Sequence, residues 1–245
     1  MTGWLLPAWA NGWLVFSLAL LGVWALLFAV MPSSRRRMLM AGLLTSLFGL
    51  TEPLFVPAYW NPPSLFDLAA RTGFDLESLI FCFAIGGIGV VLYEALFPVV
   101  HRRMGAHAMH ANRHRFHQLA LAAPVIVFLP LMAFTRINPI HSSSLAMLVG
   151  GIAAIFCRPD LTKKILVGGA LFLALYFGFF LAFNLAYPGF VQQVWNLPAL
   201  SGILVLGVPL EELMFAFTFG MMWSSAYEHV FWSRLAQPAK QRRRV

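Results

Sequence analysis

Charge is what this chain lacks. Only 11% of its 245 residues are Asp, Glu, Lys or Arg, against about 25% in a typical soluble domain. In their place 60% are hydrophobic, and the mean hydropathy is +0.77. That shortage excludes a soluble globular domain, and the long apolar runs give an all-α integral membrane protein. Cysteine is nearly absent too, with only Cys82 and Cys157. They are expected at different depths in different helices, so no disulfide is predicted and both are read as packing residues. Lysine occurs only at 163, 164 and 240, outside the predicted spans. That excludes an in-membrane Schiff base of the retinal-binding kind. Residues 1–11 have no basic segment before the first apolar run, so no removable signal peptide is expected.

Acids are outnumbered, nine against seventeen Lys and Arg, for a net charge of +8. In a soluble chain that excess would suggest nucleic acid. Here its position gives another meaning. Seven spans are predicted, at 12–31, 38–58, 76–100, 118–135, 141–157, 165–187 and 209–231. Fifteen of the seventeen basic residues fall on one side of this arrangement, and only Arg71 and Arg136 on the other. The bias places the basic loops in the cytoplasm, the N-terminus outside and the C-terminus inside an inner membrane. The basic residues then meet anionic headgroups, and membrane lipid rather than nucleic acid is the expected partner.

One stretch occurs twice. Gly207–Glu228 reads GVPLEELMFAFTFGMMWSSAYE, and Gly73–Glu94 reads GFDLESLIFCFAIGGIGVVLYE. Aligned without gaps, they share Glu77/Glu211, Phe81/Phe215, Phe83/Phe217, Gly86/Gly220, Tyr93/Tyr227 and Glu94/Glu228, among others. A Trp-Asn pair precedes each, at Trp60-Asn61 and Trp195-Asn196. Matching Glu, Tyr-Glu and Trp-Asn together indicates a duplicated unit. The predicted organisation is a first three-helix repeat with its basic loop (1–117), a linker helix (118–140), a second repeat (141–232) and a mobile basic tail (233–245). An intervening span gives the copies the same orientation, a parallel 3+1+3 repeat.

The carboxylates are the expensive residues. Glu77, Glu211 and Glu212 begin outer-leaflet helices, where the helix dipole offsets part of their charge. Glu94 and Glu228 lie about 25 Å further along and are expected to pair with inner arginines. Glu52 sits in the outer third of the second span beside Pro53, which is predicted to kink it. Glu52 is read either as a proton or polar-ligand site or as a partner of Arg71 or Arg136. The segment 101–117 holds five of the seven histidines, and His110, His114 and His117 would share a face if it were helical. No carboxylate or cysteine accompanies them, so a basic headgroup-facing loop is expected and no metal is assigned. The aromatic run within 165–187 could line an apolar cavity, but lipid-facing packing is the default reading.

A protonated carboxyl is a general acid, and ring faces stabilise a developing cation. Phe81, Phe83, Phe215, Phe217, Phe219 and Trp223, with Glu52, are the candidate lining residues. Acid, aromatic lining and lipid access together suit proton-initiated chemistry on a polyene or isoprenoid. Pro209-Leu210-Glu211-Glu212, followed by Phe215 and Phe217, resembles the PxE(E/D) motif of the integral-membrane lycopene cyclase domain of bacteria, archaea and fungi. In that family two homologous domains of about 100 residues act as two chains or one fused chain, and this sequence is similar to the fused form. The resemblance implies redox-neutral ring closure on a linear carotenoid with no cofactor. It carries over Pro209, Glu211 and Glu212 from the second motif and Glu77 from the first. In the first copy Asp75 stands where proline is expected, and Ser78 where the second acid is expected.

Other readings remain. Glu77 and Glu211 would merely cap helices in a structural protein. A different isoprenoid enzyme, a small-solute transporter of the same 3+1+3 arrangement, or a non-catalytic scaffold would share the topology. The transporter wants a polar midplane, whereas Phe, Ala, Leu and Gly dominate here. Homo- or hetero-oligomers fit all of these.

Overall fold

The computed structural model describes residues 12–236. The extreme N-terminus and the tail residues Lys240 and Arg242–Arg244, on which part of the orientation argument rests, lie outside the described residues. Seven main helices follow in order: α1 (Gly12–Val30), α2 (Arg35–Ser46), α3 (Leu76–Leu96), α4 (His117–Phe134), α5 (Pro139–Cys157), α6 (Thr162–Ala186) and α7 (Leu210–Val230). Among the described residues, five helices are long and apolar enough to cross a membrane: Gly12–Val30, Leu76–Leu96, His117–Phe134, Pro139–Cys157 and Pro159–Ala186. The chain is an all-α membrane protein.

The other two expected spans are less regular, for identifiable reasons. The second is α2 continued by a 3-10 helix, Leu47–Leu54, with Pro53 inside it. A proline removes one amide donor and clashes with the preceding turn, so the α geometry is lost ahead of it. The seventh, α7, is 21 residues long but bears Glu211, Glu212 and Glu228, so it is less apolar than those five.

Helices α1, α2 and α3 pack together, as do α5, α6 and α7, with α3 meeting α7 between the groups. Helix α4 packs on α5 and is mostly exposed. Without a hydrophobic drive inside a bilayer, close approach depends on small residues. A Cβ on Gly86 would collide with Thr45 Oγ1, and one on Gly87 would collide with Trp24 Nε1. Consecutive glycines of α3 thus admit α2 and α1.

Two expectations are corrected. Ser233–Ala236, expected in a mobile tail, pairs antiparallel with Val100–Arg103 and joins the C-terminal ends of α3 and α7. The aromatic run of α6 is not simply lipid-facing. Phe172, Tyr176, Phe180 and Phe183 are buried and form much of the central aromatic core. Their spacing repeats one helical face.

The loops that precede α3 and α7 meet reciprocally. Trp60 and Trp195 form an antiparallel bridge. Asn61 N donates to Val194 O at 2.8 Å, and Asn196 N donates to Tyr59 O at 2.9 Å. Gly73 and Gly207, aligned in the two copies, both adopt positive φ, 85° and 84°. Glycine alone takes that conformation without steric cost.

Candidate functional site

A cavity of about 450 Å³ opens between the two helix groups beneath these loops. Its wall is aromatic, including Phe16, Phe81, Tyr176, Phe215, Phe219 and Trp223, and two carboxylates reach it, Glu52 and Glu212. Phe48, Val125 and Leu129 also line it and are themselves more than half exposed, so the cavity reaches the lipid-facing surface between the 3-10 segment and α4.

The expected residues divide. Glu52, Glu212, Phe81, Phe215, Phe219 and Trp223 line the cavity. Glu77, Glu211, Phe83 and Phe217 do not. Phe83 packs at a tilt against Trp24, with ring centroids 4.9 Å apart, and Phe217 packs on Gly169 of α6. Helical periodicity explains the split: neighbouring odd positions of α3 and α7 face different partners.

Glu212 is 4% exposed and fully engaged. Its Oε1 accepts from the Tyr59 hydroxyl and from Trp195 Nε1 at 2.9 Å. Its Oε2 accepts from the Tyr176 hydroxyl at 2.8 Å. Trp195 Nε1 is also 2.9 Å from the Tyr59 hydroxyl. Tyr59 and Tyr176 were not anticipated from sequence. Tyr59 directly precedes the first Trp-Asn pair and so had a signal. Tyr176 was one aromatic among many.

Glu52 makes no ion pair with Arg71 or Arg136. Its Oε2 accepts from Asp75 N at 3.1 Å. Its Oε1 makes no hydrogen bond among the described residues, with the Asp75 and Ser78 side chains its polar neighbours. Asp75 also caps α3, with Oδ1 accepting from Ser78 N at 2.5 Å. The sequence departures at 75 and 78 therefore meet at Glu52. A proline at 75 would have no N–H to offer it.

Glu77 and Glu211 do the same job in the two groups. Glu77 Oε1 accepts from Leu65 N at 2.8 Å, and Glu211 Oε1 accepts from Ser201 N at 2.7 Å. Each ties its own outer loop to the start of its helix. His141 Nε2 also lies 3.4 Å from Glu211 Oε1.

At the C-terminal ends of α3 and α7, Glu94 meets an arginine as expected, Arg37 at 2.7 Å. Lys164, expected outside a span, is instead in the first turn of α6 and is 1% exposed. Its Nζ lies 2.8 Å from both Glu94 Oε1 and Glu228 Oε1. His101 Nε2 adds contacts of 2.6 Å to Glu228 and 3.2 Å to Glu94. Burial opposes charge on this imidazole, but hydrogen bonds to Glu228 and Glu94 outweigh it and hold His101 above its ordinary value of 6.5.

The histidine loop also departs from expectation. It is broken into a short helix (Ala106–Met109) and a 3-10 turn (Asn112–His114) before α4, so His110, His114 and His117 share no single helix. A cysteine does join them: Cys157 Sγ lies 3.6 Å from His114 Nδ1 and 3.5 Å from His117 Nδ1.

Residues 138–230 match the family model described as lycopene cyclase. No curated protein and no solved structure gives a significant match. The matched segment holds Tyr176, Trp195, Glu211 and Glu212, whereas Tyr59 and Glu52 come from outside it. Over residues 138–230, then, this chain is similar to the lycopene cyclase family.

Proposed function

We propose that this protein is a redox-neutral carotenoid cyclase, closing an end ring on a linear carotenoid within the membrane. The observation that carries the reading is the aromatic cavity reached by both Glu52 and Glu212 and opening towards lipid. Pockets for drug-sized ligands run to about 300–1,000 Å³. At about 450 Å³ this one suits the end of a polyene, with the remainder lying in the bilayer.

The chemistry needs one proton in and one proton out. An acid protonates the terminal double bond. The neighbouring alkene attacks the resulting cation, a carbon–carbon bond closes the ring, and a base removes a proton. Product and substrate are isomers, so no oxidant or reductant is needed. Phe81, Phe215, Phe219 and Trp223 offer ring faces to the migrating cation. Glu212, ringed by Tyr59, Tyr176 and Trp195, and Glu52, with one oxygen uncommitted, are the acid–base pair. Glu52 compensates for Ser78, which stands where the second acid of the first motif would be. Glu77 and Glu211 hold the loops that roof the cavity.

The fused two-unit reading is supported by the reciprocal Asn61 and Asn196 hydrogen bonds and by the matched roles of Glu77 and Glu211. The basic loops would face the cytoplasm. An aromatic wall argues against passage of small polar solutes.

Expression in a lycopene-accumulating host, with pigments separated by chromatography, tests the reading. A monocyclic or bicyclic carotene is expected. Unchanged lycopene, with the protein demonstrably in the membrane, would overturn it.

A further inference from the structure

We infer that His117, Cys157 and His229 form a binding site for a zinc-class divalent cation at the inner end of the helix bundle. The residues come from three segments: His117 opens α4, Cys157 ends α5, and His229 lies one residue from the end of α7. All three are buried, with exposures of 4%, 5% and 3%. One ligand atom from each lies within 4.8 Å of the other two.

The donor set and its spacing fit such an ion. A thiolate with imidazoles is a zinc donor set, and it discriminates against calcium and magnesium, which prefer oxygen. Zinc bonds of about 2.3 Å to sulfur and 2.0–2.1 Å to nitrogen, at tetrahedral angles, imply a sulfur–nitrogen edge of about 3.6 Å. Cys157 Sγ stands 3.5 Å from His117 Nδ1 and 3.6 Å from His114 Nδ1. His114 is not among the three mutually close groups, so the protein ligands assigned are His117, Cys157 and His229.

Those two distances would also suit thiol–imidazole hydrogen bonds. His229 is what such bonds leave unexplained. Its Nε2 is buried and has no hydrogen-bond partner among the described residues, while its ring lies 4.6 Å from that of His117. A buried polar atom of this kind calls for an unseen partner, and a cation among the three side chains supplies one.

Charge favours this cluster over its neighbour. Glu94, His101 and Glu228 are also mutually close. There Arg37 and Lys164 already provide the positive charge, at 2.7 Å from Glu94 and 2.8 Å from Glu228. Beside Cys157, by contrast, the Arg158 guanidinium is matched by Asp160 at 2.8 Å.

The role is structural. His229 and Glu212 are 17 residues apart on α7, about 26 Å along the helix. The ion would instead staple the start of α4 to the ends of α5 and α7, fixing the linker helix to the second helix group. This inference stands whether or not the protein is a cyclase.

The test uses the full chain, purified in detergent through an affinity tag without histidine. Elemental analysis should find close to one zinc per chain. After stripping, Co2+ should give a thiolate-to-cobalt charge-transfer band and tetrahedral d–d bands, both displaced by Zn2+. The melting temperature should fall on stripping and recover with Zn2+. Cys157→Ser should abolish the charge-transfer band, and His229→Gln should weaken cobalt binding at least tenfold. Absence of a thiolate band in the wild-type chain would overturn the site, and that measurement needs no variant to fold. A band persisting in Cys157→Ser would overturn it equally.

Discussion

Asn61 and Asn196 exchange equivalent hydrogen bonds, each amide donating to the carbonyl two residues before the other, at Val194 and Tyr59. The exchange brings the Tyr59 hydroxyl from the first helix group onto the Glu212 carboxylate of the second. The candidate site is thus composite. Residues 138–230 provide the carboxylate with Tyr176 and Trp195, and the rest of the chain provides Tyr59 and Glu52.

Glu212→Gln should reduce cyclisation by about 10²–10⁴-fold, the usual contribution of a positioned acid–base group. Tyr176→Phe removes one of its three donors and should have a smaller effect. Pigment analysis per unit of membrane-inserted protein measures both. Near-wild-type turnover by Glu212→Gln would remove Glu212 from the chemistry.

Glu77→Ala and Glu211→Ala should act on stability. Each strips the acceptor from an outer-loop amide, Leu65 N or Ser201 N, at a cost of about 1–3 kcal/mol. Melting in detergent should show the loss, and proteolysis within 197–209 should quicken in Glu211→Ala. Unchanged melting with complete loss of product would instead make Glu211 a catalytic group.

Lys164→Met should be severely destabilising. It leaves Glu94 and Glu228 buried beside each other with less compensating charge, and breaking such a cluster costs about 3–5 kcal/mol. Wild-type yield and melting would show that Arg37 suffices alone.

His101 predicts a pH dependence. Glu94 and Glu228 face its ring, as does the Arg37 guanidinium, whose Nη1 is 2.6 Å from His101 Nε2 and opposes the charge; Tyr227 packs edge-on. The carboxylates prevail, so the folded imidazole titrates above its ordinary 6.5. Its stabilising contribution is fully present below about 6.5 and is lost as pH rises through the folded value. Melting temperature should therefore fall with rising pH over that window, and His101→Gln should flatten the slope. An unchanged slope in the variant would assign the titration elsewhere.

Much of this architecture is legible in the sequence, because a bilayer imposes strong rules. Scarce charge and long apolar runs require helices, since every backbone amide must be satisfied internally. The expected spans accordingly agree with α1 and α3–α7 to within a few residues. The pairing of Glu94 with Arg37 was likewise foreseeable, because a buried carboxylate needs a cation. The 3-10 segment at Leu47–Leu54 was visible only as a kink at Pro53, since a proline marks where an α-helix fails but not which geometry replaces it.

What the sequence determined by itself was composition-driven: a helical membrane protein, a costly carboxylate at each outer helix start, and aromatic surface nearby. Which carboxylate faces the cavity was decided by tertiary structure alone. Glu211 and Glu212 are adjacent in sequence, but about 100° of helical rotation separates neighbours. One turns to the outer loop at Ser201, and the other to Tyr59 and Tyr176. Likewise only the fold brings Cys157 to His117 and His229, because three helix ends meet where no sequence spacing connects them.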